Sequence, residues 1–220
     1  MMLKPTCTFS LIAVLLLAAC AGGPVPPDWQ VNVQGSTERA VEAYMTGRTR
    51  VEQAEFAKSR SEIARTGKTD LIARVELFRC ATRVASLVLE DCSAFAVLSQ
   101  DAGPAERAYA DYLSGRPQIN NMLLPQQHRN VVTGGAQALL AIKDPLSRLV
   151  AAGVLFKMSL VDPAVMALAV ATASEQGWSR PLLAWLHLQA QRAELAGDLE
   201  EGARLRRRIG LVLQTSSNSP

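Results

Sequence analysis

Four dipeptides at a constant step of 18 residues decide the fold of this chain: Asp144-Pro145, Asp162-Pro163, Arg180-Pro181 and Asp198-Leu199. Aspartate is a strong N-cap, and proline suits the first position of a helix. Gly177 and Gly197 precede two of these starts, as C-terminal helix stops do. The spacing predicts helices of equal length joined by tight turns, which stack as antiparallel hairpins.

The last of these turns reads Ala193-Glu194-Leu195-Ala196-Gly197-Asp198-Leu199, with Ala203 in the helix that follows. It resembles the turn between the helices of tetratricopeptide repeats, and two 18-residue units come close to the roughly 34 residues of that repeat. The chain departs from the family because the usual aromatic residue is absent and Arg206 replaces a bulky apolar residue. The resemblance implies a tetratricopeptide-like array over 144–213 whose surface holds a peptide or another protein. Helical hairpins of other ancestry would give the same pattern.

The hydrophobic pattern of each helix in this array predicts how deeply that helix is buried. Residues 164–171 are apolar all round, which predicts a central helix covered on every side. The final helix has a polar outer face, as a terminal capping unit needs. Residues 214–220 are expected to form a disordered tail.

The preceding region, 36–143, also has helical signals and no alternating strand pattern. We expect helices from Ser36 or Thr37 to Thr66, from Thr69 or Asp70 onwards, from Cys92 to Leu98, from Gly103-Pro104 to Ser114 and from Pro125 to Ile142. Gly134-Gly135 marks either a break or a close helix crossing. The predicted fold class is therefore all-α, with antiparallel helical hairpins stacked as a short solenoid.

The N-terminus carries a different signal. An apolar run from Phe9 to Leu17 leads into Leu17-Ala18-Ala19-Cys20, and Gly22-Gly23-Pro24 follows. This ending resembles the lipobox of bacterial lipoproteins. The resemblance implies a signal peptide over 1–19, a lipid (palmitate) attached at Cys20, and a flexible tether over 20–35. Ala21 after the cysteine favours the outer membrane, at its periplasmic face, with the inner membrane as the alternative.

Two further cysteines, Cys80 and Cys92, follow the anchor. On one straight helix their Cα atoms would lie about 18 Å apart, too far for a bond. If the chain turns back at Glu90-Asp91, the two thiols meet, and an oxidising compartment favours a disulfide. We favour the turn over the straight helix. The alternative of a redox or metal pair lacks the usual C-x-x-C spacing.

Motifs of catalysis are missing from the sequence. It has no Gly-x-Ser-x-Gly turn, no His-Glu-x-x-His helix and no Walker-type loop, so no catalytic, cofactor-binding or metal-binding residue is predicted. His187 is expected to be partly buried in the core and His128 to lie on the surface. A net charge of +3 and 5% aromatic residues argue against a nucleic-acid partner.

These observations favour a membrane-anchored periplasmic lipoprotein that acts as a non-enzymatic, protein-binding adaptor or assembly factor in the cell envelope. The alternative is an enzyme of cell-wall metabolism, or a regulator of one, with an unrecognised site around Glu76 or Glu175. On the helix that carries Glu76, the residues expected on the outer face are Arg74, Glu76, Arg79 and Arg83.

Overall fold

The computed structural model describes residues 25–116 and 121–217, and this part of the chain is all-α. Its helices are α1 (Asp28–Met45), α2 (Thr49–Ala64), α3 (Thr69–Ala85), α4 (Ser93–Ala96), α5 (Pro104–Leu113), α6 (Val131–Ala141), α7 (Pro145–Lys157), α8 (Pro163–Glu175), α9 (Ser179–Leu195) and α10 (Leu199–Ser217). Short 3₁₀ turns, Asn121–Leu123 and Gln126–His128, lie between α5 and α6. The predicted all-α fold of packed helical hairpins is confirmed.

Three of the four predicted helix starts are capped as the sequence indicates. The carboxylates of Asp144, Asp162 and Asp198 accept hydrogen bonds from backbone N–H groups three residues on, over 2.6, 2.8 and 3.0 Å. The fourth helix begins one residue before the predicted start: α9 begins at Ser179, and Arg180 lies in its first turn. The Arg180 guanidinium instead donates to the carbonyl of Tyr44, 2.7 Å away on α1.

The N-terminal hairpin differs from the prediction of one helix ending at Thr66. The helix begins earlier, at Asp28, within the residues expected to form the tether, and it breaks at Gly47. Gly47 has a φ of +86°, a left-handed conformation that glycine adopts without strain. Since the N–H of Arg48 bonds to the carbonyl of Ala43 over 2.7 Å, the break is a Schellman-type helix end.

The centre of the core is α7, not α8 as predicted. Every residue from Leu149 to Leu155 is buried, and α7 packs against α3, α5, α6 and α8. On α8 the alanines at 164, 167 and 171 are exposed, so a helix that is apolar all round is covered on one side only. Small alanine side chains make this exposure cheap, because little apolar area stays in water.

The core is continuous across residue 143, where the sequence suggested a boundary between two helical regions. One buried cluster includes residues from Tyr44 on α1 to Ile209 on α10. α10 runs to Ser217, so residues expected in a disordered tail extend the last helix instead. No helix within 25–116 and 121–217 is both long enough and apolar enough to cross a bilayer.

The turn predicted at Glu90-Asp91 occurs earlier. Helix α3 ends at Ala85, and Leu87 takes a left-handed φ of +57° that reverses the chain. The strap formed by residues 86–92 then returns along α3 and places Cys92 beside Cys80. Their Cα atoms lie 5.6 Å apart and a disulfide joins them, as the sequence predicts.

Glutamine-rich Pro125-Gln126-Gln127 does not open a long helix. It forms a 3₁₀ turn, and α6 starts at Val131. Inside α6, Gly135 has φ +49° and ψ −132°, and the space around its α-carbon is open. Of the two alternatives left by the sequence, the glycine pair therefore marks a break.

Replacing Gly153 with alanine should destabilise the fold. A Cβ at this position would lie 2.8 Å from the carbonyl carbon and the Cγ1 of Val84, and closer still to its carbonyl oxygen. Because backbone cannot move aside as a side chain can, we expect a loss of about 1–3 kcal/mol in the free energy of unfolding, measured in urea. Gly210→Ala is the matched control, since its Cβ meets nothing within 4 Å; helix propensity predicts a gain of about 1 kcal/mol. Equal effects of both variants would contradict the close approach of α7 to α3.

Removing the Cys80–Cys92 link should lower stability by about 3 kcal/mol, since it closes a short loop in the unfolded chain. The measurement compares urea unfolding of the oxidised protein with that of Cys80→Ser/Cys92→Ser. Non-reducing peptide mapping should find the two cysteine peptides joined. Free thiols at both positions, or an unchanged midpoint in the double variant, would contradict this arrangement.

Candidate functional site

An open groove lies between α3, α5 and the segment 121–129. Its volume is about 380 Å³. We call it the α3–α5 groove; its lining residues are Arg74, Leu77, Phe78, Ala105, Glu106, Tyr109, Met122, Leu123, Leu124, Pro125 and Arg129. Leu77 and Phe78 lie three and four positions after Arg74, so one face of α3 supplies all three side chains.

Most of this lining is apolar. Leu77 and Leu124 are buried and form the floor, whereas Phe78 is 39% exposed and Met122 is 68% exposed at the mouth. Leu123 is also exposed there. Large apolar side chains that cluster around an opening, instead of standing singly on the surface, are typical of surfaces that bind a partner or a ligand.

Charged groups of both signs stand at the mouth. The Nε of Arg74 donates to Oε1 of Glu106 over 2.6 Å, which joins α3 to α5 across the groove. The Nε of Arg129 donates to the carbonyl of Leu124 over 3.1 Å. This bond holds the Arg129 guanidinium against the 121–129 segment and uses one of its five N–H donors.

An aromatic cluster supports the groove from behind. The rings of Tyr109 and Tyr112 lie with centroids 6.0 Å apart, and the ring of His128 lies 5.1 Å from that of Tyr112. The Tyr112 hydroxyl and the Nδ1 of His128 share a hydrogen bond of 3.1 Å. His128 is only 2% exposed, so the prediction that it lies on the surface is wrong.

Burial shifts the pKa values of this cluster. It lowers the pKa of the His128 imidazole to about 4, although the charge of Asp144 acts in the opposite direction. It raises the pKa of the Tyr112 hydroxyl well above its usual value, with a smaller contribution from Tyr109. Both groups are therefore neutral at physiological pH, and the cluster positions the groove wall without carrying charge.

Two buried carboxylates lie elsewhere, between the N-terminal hairpin and α3. Glu52 accepts hydrogen bonds from Arg79 and Arg83, each over 3.2 Å. Glu76, predicted on the outer face of α3, is 3% exposed and forms an ion pair with Arg60 of α2. Partnered in this way, both carboxylates hold helices together.

The two residues considered for an enzyme site lie on different helices, and Glu76 lines a cleft of about 120 Å³ together with Glu90 and Asp91. Glu175 is exposed at the last position of α8, whereas Glu76 is buried against α2. His187 is exposed, not part of the core, and its Nδ1 lies 3.5 Å from a guanidinium nitrogen of Arg206. Within the described residues, no three His, Cys, Asp or Glu side chains converge in a way that would hold a metal ion.

A second cleft of about 380 Å³ borders the disulfide, between the strap and α5. Its lining is more polar, and its arginines are already engaged: Arg116 pairs with Asp111 over 3.5 Å, and Arg107 donates to the carbonyl of Ala102. The α3–α5 groove combines apolar walls with a less fully engaged cation, which makes it the stronger candidate for a binding site.

The predicted lipid attachment site, Cys20, and the predicted signal peptide over 1–19 lie outside the described residues. Cys80 and Cys92, the predicted disulfide pair, are brought together as described above. The sequence does not predict the groove, because its three segments are far apart along the chain and no local pattern connects them. The signal that could have pointed to it is the row Arg74, Leu77 and Phe78 on one helical face.

No protein-family model matches the chain, and no curated protein or solved structure matches it either.

Acidification should weaken the fold through His128. Because the pKa is about 4 in the folded protein and 6.5 without burial, the unfolded chain binds a proton between these values that the folded chain does not. The free energy of unfolding should therefore fall as the pH drops from about 6.5 to 4, with about 3 kcal/mol coming from this residue.

The check is urea unfolding across this pH range. His128→Asn should show a smaller dependence on pH than the wild type, and His187→Asn, which alters an exposed imidazole, should keep the full dependence. Since the chain has two histidines, the NMR titration of His187→Asn reports on His128 alone. A His128 signal that titrates at 6.5 would contradict its burial.

Proposed function

We propose that this protein is a bacterial lipoprotein, anchored by a lipid on Cys20 at the periplasmic face of the outer membrane, and that its helical body is a non-enzymatic adaptor. The adaptor role means binding another protein of the cell envelope and holding it near the bilayer. The observation that carries the proposal is the α3–α5 groove, with its exposed Phe78 and Met122 and its charged mouth.

The anchor is supported by Leu17-Ala18-Ala19-Cys20, which resembles a lipobox. The Cys80–Cys92 disulfide also agrees with an exported protein, since thiols of cytosolic proteins are kept reduced. Within the described residues, α1 begins at Asp28, eight residues after Cys20, so the helical body starts close to the proposed anchor.

This short connection limits where the body can lie. Even a fully extended chain from Cys20 to Asp28 reaches no farther than about 28 Å. The start of α1 therefore stays within that distance of the anchored cysteine. Trp29, in the first turn of α1, is partly buried and lies under the ammonium group of Lys68, 5.3 Å away. This contact joins the start of α1 to Lys68, which directly precedes α3.

The adaptor role is favoured over cell-wall catalysis by the state of the buried carboxylates. A general acid or base needs a titratable group that faces a pocket and can exchange a proton with a substrate. Glu52 and Glu76 line clefts of about 10 and 120 Å³ between helices, but both carboxylates are paired with arginines there. The groove, by contrast, offers shape and apolar surface, which is what a binding module needs.

Radiolabelled palmitate should enter the wild-type protein and fail to enter Cys20→Ala, because the acyl chain is attached to that sulfur. Cys7→Ala is the matched control, since Cys7 lies in the segment that processing removes, and it should be labelled like the wild type. Fractionation should place labelled protein with the outer membrane. An unlabelled product, or a precursor that stays in the cytosol, would contradict the anchor.

The adaptor role is tested with a photoreactive amino acid at position 122 of the full chain in intact cells, followed by purification. A crosslinked envelope protein should appear from position 122 and not from position 211, where Leu211 is exposed on α10. If no partner appears and a deletion strain alters a cell-wall product, the adaptor role is wrong.

A further inference from the structure

We propose that the α3–α5 groove binds a short segment of the partner protein that places apolar side chains beside an acidic residue. This inference rests on the proposed adaptor function and names the chemistry of the partner at that site. It follows from two features of the groove, an apolar floor that is open to solvent and a guanidinium at the mouth that has donors to spare.

The apolar part of the segment is set by the floor and the exposed rim. Leu77 and Leu124 form a buried floor, and Phe78 and Met122 stand above it, partly in water. A segment whose side chains cover Phe78 and Met122 would remove that surface from water. Apolar side chains at helical spacing, i, i+3 or i+4, are the usual way for a peptide to fill such a groove.

The acidic residue is set by the charges at the mouth. Arg74 is already neutralised by Glu106 at 2.6 Å, so this pair adds no net charge. Arg129 has its Nε fixed by the carbonyl of Leu124, and its terminal nitrogens have no hydrogen-bond partner in the described parts of the chain. A guanidinium held at one nitrogen presents its remaining donors in a fixed direction, which suits a carboxylate.

A protein segment fits this mouth better than a lipid acyl chain does. Within the described residues, the groove is an open depression and not an enclosed tunnel. A fatty acid can engage Arg129 but leaves the carboxylate of Glu106 unused, because its head group has no N–H donor and Arg74 already balances that charge. For a peptide, the same carboxylate can accept a hydrogen bond from a backbone N–H group. The mixed signs at the mouth therefore favour a peptide that carries both donors and one negative charge.

The test uses the full lipidated chain in lipid nanodiscs and a phage library of random peptides of about twelve residues. Enriched peptides should combine two or more large apolar residues with an aspartate or glutamate. By fluorescence polarisation, Phe78→Ala should weaken a selected peptide about tenfold, as expected for a central apolar contact. Arg129→Gln should weaken it about fivefold and abolish its advantage over the same peptide with the acid replaced by its amide.

Control variants separate binding from folding. Leu211→Ala and Arg207→Gln change exposed residues of α10, outside the groove, and should leave the affinity unchanged. Met122→Ala alters a residue that is mostly exposed, so it tests the groove even if Phe78→Ala loses stability. In addition, Arg129→Glu should reject the acidic peptide and accept its lysine counterpart, a reversal that a purely structural role of Arg129 would not produce.

Several results would overturn the inference: no enriched peptide, enriched peptides without an acidic residue, or binding that is insensitive to Phe78, Met122 and Arg129. Dodecanoate that binds in an Arg129-dependent way while no peptide is enriched would assign the groove to acyl chains instead. A partner crosslinked only from outside the groove would leave the adaptor role standing and remove this inference. Peptide binding to the groove without any envelope partner in cells would support this inference and contradict the adaptor role.

Discussion

The close approach of α7 to α3 at Gly153 and Val84 is the contact on which the rest of the molecule depends. With hydrogen in place of a side chain at Gly153, the two helices meet backbone to backbone. This contact fixes which side of α3 faces the core, and with it the direction of every other side chain on that helix. Cys80 then faces the strap, Glu76 faces α2, and Phe78 faces the groove. A side chain at position 153 would push the helices apart and disturb all three.

A second layer of contacts, made by charges and aromatic rings, joins the two ends of the chain. The guanidinium groups of Arg83 and Arg180 lie over the ring of Tyr44, at 4.3 and 4.4 Å from its centroid. The indole N–H of Trp178 donates to Glu42 over 3.0 Å. Through these contacts α1 is held against α9, in the array, and against α3. The hairpin nearest the predicted anchor is therefore packed directly against the repeat-like half.

The sequence predicts best where the signal is local. Asp144, Asp162 and Asp198 each act within their own helix turn, so their caps follow from residue type and spacing alone. The disulfide was predicted because two cysteines twelve positions apart can meet only if the chain reverses. The reversal occurs at Leu87, three residues before the predicted turn at Glu90-Asp91. A leucine at positive φ has no sequence signal, since the surrounding structure holds it there.

Prediction failed where a distant partner decides the outcome. The local sequence predicts that Glu76 lies on the surface. It is buried because Arg60 of α2 forms an ion pair with it. His128 is buried and His187 is exposed, the reverse of the prediction. The ring that packs against His128 is that of Tyr112, which comes from α5. The groove is the extreme case, since α3, α5 and the 121–129 segment each supply part of it and none of them shows a pocket alone.

The exposed apolar rim of the groove follows from what the neighbouring elements are already bound to. The α1–α2 hairpin borders one side of Phe78 and is tied to α3 through Glu52, Arg79 and Arg83, and α4 is held by the disulfide that precedes it at Cys92. Neither can move over Phe78 without breaking those contacts. Burying a phenylalanine side chain fully stabilises a fold by about 1.5–3 kcal/mol. Because Phe78 stays 39% exposed, it contributes only part of that stabilisation. These contacts keep the rim exposed in the folded state, and under the proposed adaptor role a partner would remove this surface from water.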